Sequence, residues 1–176
     1  KAGYLTVGMD HFAHPDDPLA KAIHDGRLTR NFMGYAVQGG SDMVSIGPSA
    51  ISQIGGVYHQ NDKILSRWEH AVDAGRFAVH KGYRCSEEDE LRRWVIHQGR
   101  FELRWEDMRA RFGVGPDHFT DAIEQLKEEV PFGIVEVRDE GIFVTELGRR
   151  FVRNLAMPFD AYLSKMSATT KFSRTV

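Results

Sequence analysis

Two short stretches of the 176-residue chain bring together residues able to do chemistry. Asp10-His11-Phe12-Ala13-His14 sets two histidines three apart with a carboxylate adjacent. Imidazole and carboxylate are metal ligands, and a histidine also carries protons near neutral pH. Off a helix this spacing does not aim two rings at one ion, and no third histidine or cysteine lies nearby in sequence. A loop at a strand end, structural or facing a substrate, is favoured over a metal site. The second stretch runs from Gly47 to Gly56. Glycine lets backbone approach a ligand closely, and Ser49 and Ala50 are small. A strand followed by a glycine loop at the carboxyl edge of a parallel sheet is where α/β proteins take cofactors. This stretch is no G-x-G-x-x-G fingerprint and no phosphate lysine follows it, so on the residues alone a tight structural turn is the stronger reading. Behind it, Tyr58-His59-Gln60-Asn61 could hold a ligand or cap the next helix through Asn61.

Composition narrows the chemistry. The one cysteine, Cys85, can form no internal disulfide, and one thiolate cannot build a zinc or iron–sulfur site. A reducing compartment, most simply the cytoplasm, is expected. A formal charge of −2 argues against bulk electrostatic binding to nucleic acid. No run approaches the roughly 20 apolar residues that cross a bilayer. The chain opens Lys1-Ala2-Gly3-Tyr4 and enters an apolar segment directly, which reads as a piece of a longer protein beginning inside a fold.

The elements follow from pattern. Tyr4–Val7 and Met43–Ile46 read as strands, with Tyr35-Ala36-Val37 as another short apolar run. Pro15-Asp16-Asp17-Pro18 leads into a helix over Leu19–His24 stopped by Gly26, and Asn61 or Asp62 could cap a helix carrying Ile64, Leu65, Trp68 and Val72. Ser86 and Asp89 form a capping box for a helix with Leu91, Trp94 and Val95 on one face. A shorter helix with Met108 and Phe112 ends at Gly113. The helix begun by Asp117 carries Phe119, Ala122, Ile123, Leu126 and Val130 at helical spacing. Ile134–Val137 and Ile142–Thr145 form a hairpin, and a last helix carries Leu147, Phe151 and Leu155. Three helices, a hairpin and a helix is the order of a winged-helix-like domain. DNA binding is nonetheless disfavoured. Asp117, Asp121, Glu124, Glu128 and Glu129 face Lys127 alone on the helix that would enter the groove, and phosphates would repel it.

Several segments together resemble a family. Gly8-Met9-Asp10-His11-Phe12-Ala13, Asn31-Phe32 with Gly34-Tyr35, Gly47-x-Ser49-Ala50-Ile51-Ser52 and Tyr58-x-Gln60-Asn61 look like the bacterial oxygen-independent coproporphyrinogen III oxidases. So do Gly148-Arg149 with Arg153-Asn154, Phe159-Asp160-x-Tyr162-Leu163 and Phe172-Ser173-Arg174. The resemblance covers the chain from about Gly3 to Val176. It implies a radical S-adenosylmethionine (SAM) enzyme that converts two propionates of coproporphyrinogen III to vinyl groups in haem biosynthesis. It further implies a [4Fe–4S] cluster held by a C-x-x-x-C-x-x-C pattern that this chain lacks, so this polypeptide alone is expected to be inactive. The implied fold is the last strands of an incomplete α/β barrel over residues 1–60, a connecting helix and linker over 61–80, and a mainly helical domain over 81–176. Phe32, Ala50 and Ile51 correspond to the place of a second SAM. Arg174 is the tail candidate for substrate binding, with Arg149, Arg150 and Arg153 as further candidates. Met33 and Pro48 depart from the family's usual residues. A non-catalytic tetrapyrrole-binding paralogue or partner protein is the alternative. Strands left without neighbours are expected to make residues 1–60 labile and prone to self-association, beside a compact 86–157.

Overall fold

A computed structural model describes residues 2–31, 33–37, 42–97 and 101–163. In chain order the elements are β1 (Leu5–Gly8), β2 (His11–Ala13), α1 (Pro18–His24), β3 (Leu28–Asn31), β4 (Gly34–Val37), β5 (Ile51–Ile54), β6 (Val57–Asn61), α2 (Leu65–Asp73), β7 (Val79–Arg84), α3 (Glu87–Ile96), β8 (Glu102–Arg104), α4 (Trp105–Phe112), α5 (Thr120–Lys127), β9 (Val135–Arg138), β10 (Gly141–Val144) and α6 (Val152–Ala156). Short 3-10 turns at Pro116–Phe119, Val130–Phe132, Gly148–Phe151 and Met157–Phe159 complete the path. Two compact units result: Lys1–Gln38 with Leu91–Val176, and Gly39–Glu90. They are drawn differently from the segments expected to break at residues 60 and 80.

The first unit holds the hairpins β1–β2 and β3–β4, a three-stranded sheet in the order β8-β10-β9, and helices α1, α4, α5 and α6. Local chemistry explains the helix ends. The Asp17 carboxylate accepts the Leu19 N–H at 2.7 Å, with Pro18 in the first turn. Gly113 closes α4 at φ 73°, a left-handed angle that glycine adopts without a side-chain clash. One apolar core gathers Leu91 and Val95 of α3, Met108 of α4, Ala122 and Leu126 of α5, Val135 and Ile142 of the sheet, and Leu155 and Phe159. A second gathers Val7, Ala13, Ala20, Ala22 and Leu28 with Phe101 and Val152. Residues of β1, β2, α1 and β3 therefore share buried surface with the C-terminal half.

The second unit is the meander β5-β6-β7 with α2. Its helix begins after Ile64, with no side-chain cap. Asn61 instead ends β6, and the Asp62 carboxylate takes the Ile64 N–H at 2.9 Å. The Ser86–Asp89 box at the start of α3 forms as expected: the Asp89 N–H donates to Ser86 Oγ at 3.2 Å and the Ser86 N–H to Asp89 Oδ2 at 2.9 Å.

Four expectations are corrected. Met43–Ile46 is no strand: Met43 alone bridges Gln53, and Val44 and Ile46 are exposed. Ile51–Ile54, assigned to a loop, is a strand that turns at Gly55-Gly56 into β6. In the last helix Leu147 and Phe151 are exposed, while Gly148, Val152 and Leu155 are buried, because a 3-10 turn shifts the stripe by one residue. Every strand pairing among the described residues is antiparallel, including Leu5–Gly8 with His11–Ala13. Two residues join β1 to β2, and a parallel return needs roughly a dozen or more.

Candidate functional site

The turn between β3 and β4 sets Arg30 directly opposite Tyr35 in the ladder, so both side chains leave the same face. The Tyr35 ring meets His11 edge-on at 5.1 Å between centroids and lies 5.9 Å from Phe101. Gly8 makes room for the phenol, because a Cβ there would lie 2.5 Å from Tyr35 Oη. Arg30 Nη2 donates to the Ile96 carbonyl at 2.6 Å, and its Nη1 lies 3.6 Å from Met9 Sδ. The Arg149 guanidinium stacks over Phe101 at 4.9 Å, while its carbonyl accepts the Met9 N–H at 3.0 Å. Two hairpins, the start of β8 and the turn before α6 thus converge on one spot in the first unit.

That spot is basic and under-bonded. Tyr35 Oη, Arg30 Nε, Arg149 Nε and His97 Nδ1 are buried without a hydrogen-bond partner. Among the described residues, no carboxylate forms an ion pair with Arg30, Arg149 or Arg153. Burial pulls the Arg30 guanidinium below its ordinary range, and Arg153 adds to this. Burial pushes the Tyr35 phenol up, against the pull of Arg30 and Arg149, so it stays a hydrogen-bond donor. Burial, with Arg30 and Arg93 nearby, lowers His97 to about 4, so this imidazole is neutral at physiological pH. Asp10 is the nearby acid; its hydrogen bond to His11 holds its carboxyl below the usual range, with Arg153 a smaller contributor.

The Asp10–His14 motif divides its histidines. His11 Nδ1 lies 2.9 Å from Asp10 Oδ1, whereas His14 Nδ1 lies 3.5 Å from Asp16 Oδ2 and its ring meets Tyr4 edge-on. Among the described residues, no group of three His, Cys, Asp or Glu side chains is placed to hold a metal.

In the second unit the glycine stretch is a fastened bend. Asn61 Nδ2 donates to the Gly47 carbonyl at 2.9 Å and Gln60 Nε2 to the Ser49 carbonyl at 3.0 Å. The Asn61 N–H donates to the Ala50 carbonyl at 2.9 Å. Gly47 at φ 113° and Ser49 at φ 60° are the left-handed residues of the bend. The buried Ser52 hydroxyl accepts the Ser45 N–H at 3.0 Å and ties the incoming chain to β5. Gln60 and Asn61 are therefore the latch of this loop. Ala50 and Ile51 are half-buried at its end, where Ile51 opens β5. Cys85 is half-buried after β7, and its N–H donates to the Gly56 carbonyl at 2.9 Å.

Phe32 and Arg174 lie outside the described residues. Arg150 and Arg153 are exposed, and Arg149 is half-buried over Phe101. Arg30 and His97 escaped the sequence reading, and Tyr35 entered it only within a motif. A turn flanked at equal distance by Arg30 and Tyr35 was the signal that could have paired them.

No family model matches the chain. It is 41% identical over 178 residues to the oxygen-independent coproporphyrinogen III oxidase of Pseudomonas aeruginosa, covering 99% of this chain and 38% of that protein. It is 38% identical over 179 residues to the protein of the same name from Escherichia coli, covering 100% and 39%. It superimposes on a solved Escherichia coli coproporphyrinogen III oxidase, described as a radical SAM enzyme. That match has a TM-score of 0.84 and 40% identity, and covers 91% of this chain and 38% of that one. The chain thus spans under two-fifths of the relatives it matches, and what it resembles is their C-terminal portion.

Proposed function

We propose that this chain is the C-terminal portion of an oxygen-independent coproporphyrinogen III oxidase, a cytoplasmic radical SAM enzyme of haem biosynthesis. The observation that carries the reading is the likeness in sequence and fold along the whole chain to the coproporphyrinogen III oxidase of Escherichia coli. The reaction takes each of two propionates of coproporphyrinogen III to a vinyl group with loss of carbon dioxide, one hydrogen atom and one electron. SAM and a [4Fe–4S] cluster supply hydrogen-atom abstraction in such enzymes.

The donor set here does not fit the cluster. One cysteine cannot replace three thiolates, so the cluster belongs to sequence outside this chain. A second SAM does fit the residues of the bend. Ile51 offers a half-buried aliphatic face to an adenine ring, and Ala50 adds little bulk beside it. The backbone of Ala50 is occupied by Asn61, so this contact is apolar. The sequence of α3, β8, α4, α5, β9 and β10, with β10 central in its sheet, supports a winged-helix-like arrangement. The acidic side chains of residues 117–129 suit that unit to packing on protein, with no nucleic acid as partner. Among the described residues, no helix is long and apolar enough to cross a membrane.

The test is a chimera in which this chain replaces the matching segment of the Pseudomonas aeruginosa enzyme. Anaerobic formation of protoporphyrinogen IX at a rate near the parent's supports the reading. A folded, cluster-loaded chimera that binds coproporphyrinogen III without turning it over would favour a non-catalytic tetrapyrrole binder.

A further inference from the structure

We propose that Arg30, Tyr35 and Arg149 form a receptor for a carboxylate group in the first unit. The ladder sets Arg30 and Tyr35 side by side, and Phe101 aligns the Tyr35 and Arg149 side chains around one ring. Three donor atoms there, Arg30 Nε, Tyr35 Oη and Arg149 Nε, are buried without partners. Buried donors without acceptors are costly to keep, which singles out sites that an acceptor completes. The two guanidinium groups present donors only and the phenol can add a third donor, so the partner that completes the set is an acceptor with negative charge. A carboxylate matches the planar fork of arginine and can take the phenol hydrogen on its second oxygen. His97 stays neutral beside it, and Asp10 offsets part of the charge of Arg153, which leaves the two guanidinium charges of Arg30 and Arg149 for the ligand.

Gly8 supports the assignment. It sits at the end of β1 where any larger residue would displace the Tyr35 hydroxyl. Met9 is gripped at its N–H by the Arg149 carbonyl, and its sulfur lies against Arg30. The receptor is thus built from backbone as well as side chains.

The identity of the carboxylate rests on the function proposed above. A propionate of the tetracarboxylate substrate is the first source, and the amino-acid carboxylate of SAM is the second. The test uses the whole chain, with coproporphyrin III as a redox-inert probe and its tetramethyl ester as the uncharged control. SAM, sodium propionate and inorganic phosphate are the remaining arms. Binding is followed by porphyrin fluorescence, calorimetry and the NMR signals of Tyr35 and the arginine side chains. Arg30→Gln, Arg30→Lys, Arg149→Gln and Tyr35→Phe are compared with the parent, with unfolding midpoints measured for each.

The acid is expected to bind at least about tenfold more tightly than the ester. Arg30→Gln and Arg149→Gln should each remove about tenfold of that preference, and Arg30→Lys should restore only part of it. Tyr35→Phe keeps the ring and loses a smaller share. If SAM rather than the porphyrin shows this pattern, the carboxylate comes from the cofactor. Failure of the porphyrin with persistent propionate shifts at Tyr35 and Arg30 removes the tetrapyrrole and leaves the receptor. Equal binding of acid and ester, or porphyrin affinity unchanged in folded Arg30→Gln and Arg149→Gln, overturns the receptor itself. Preference for phosphate over propionate also overturns it.

Discussion

The two compact units hold together by different means. In the first, two apolar cores fill the space between hairpins, sheet and helices, and Met108 and Val7 are fully buried. In the second, Ala78 is the buried apolar residue among those described, while Ile46 is 91% exposed and Phe77 97%. The second unit is ordered by its ladders, by the Asn61 and Gln60 amides on the Gly47–Ser49 bend, and by Ser52. Hydrogen bonds specify its shape but exclude little water, and a three-stranded sheet normally needs an apolar face for independent stability. Apolar side chains left in solvent at this density mark a surface suited to burial against other protein.

The widest separation between the units should come from truncating a core. Leu126→Ala in α5 should cost about 2–5 kcal/mol in a denaturant titration, because it opens a cavity in the larger core. Ile64→Ala and Val72→Ala in the second unit should stay within about 0.5 kcal/mol. A comparable loss at Val72 would show that the second unit has a working core after all.

Gly148→Ala should follow, at about 1–3 kcal/mol, since a methyl there runs into the Ile134 carbonyl. Glycines of the second unit with open space around them, such as Gly75, should lose much less on the same change, through backbone strain at φ 66° alone.

Acid provides a third separation. His97 titrates near 4 in the first unit and near 6.5 when unfolded. The unfolded chain therefore binds the extra proton first as pH falls. The contribution is whole above about pH 6.5 and is lost progressively towards pH 4, amounting to roughly 3 kcal/mol. His97→Gln should flatten the pH dependence of unfolding across that window. An unchanged slope would place His97 in water.

The capping box at the start of α3 should matter less. Ser86→Ala removes a cap worth about 1 kcal/mol. Smallest in stability, and most telling for the comparison, is a surface change. Replacing Ile46 and Phe77 by Ser should leave the unfolding midpoint unchanged while lowering the binding of a hydrophobic dye. Dye binding that persists would move the exposed apolar surface elsewhere.

Helix boundaries were legible because their causes are local. Asp17-Pro18, Ser86 with Asp89, and Gly113 act within one turn, and the stripe of Phe119, Ala122 and Leu126 is a matter of spacing. The hairpin at Arg138–Gly141 was legible for the same reason. Met43–Ile46 was misread because an apolar run has strand propensity whether or not a neighbour pairs with it. Leu147 and Phe151 were misread because a 3-10 turn alters the period without a marker in the residue types. The resemblance pointed to the bend of Ala50 and Ile51, yet nothing in Gln60 or Asn61 announced that their amides would close that bend rather than meet a ligand.

The sequence by itself determined the local order of elements, the absence of a thiolate cluster within this chain, and the likeness to the C-terminal portion of one enzyme family. Only the tertiary structure decided that Val7, Ala20 and Leu28 pack with Phe101 and Val152 of the C-terminal half, and that Tyr35 and Arg149 flank Phe101 while Arg30 reaches the Ile96 carbonyl. The reason is physical. Capping and periodicity act over a few residues, whereas Arg30 and Ile96, or Met9 and Arg149, are brought together only by burying Val7, Leu28, Phe101 and Val152 in a common core.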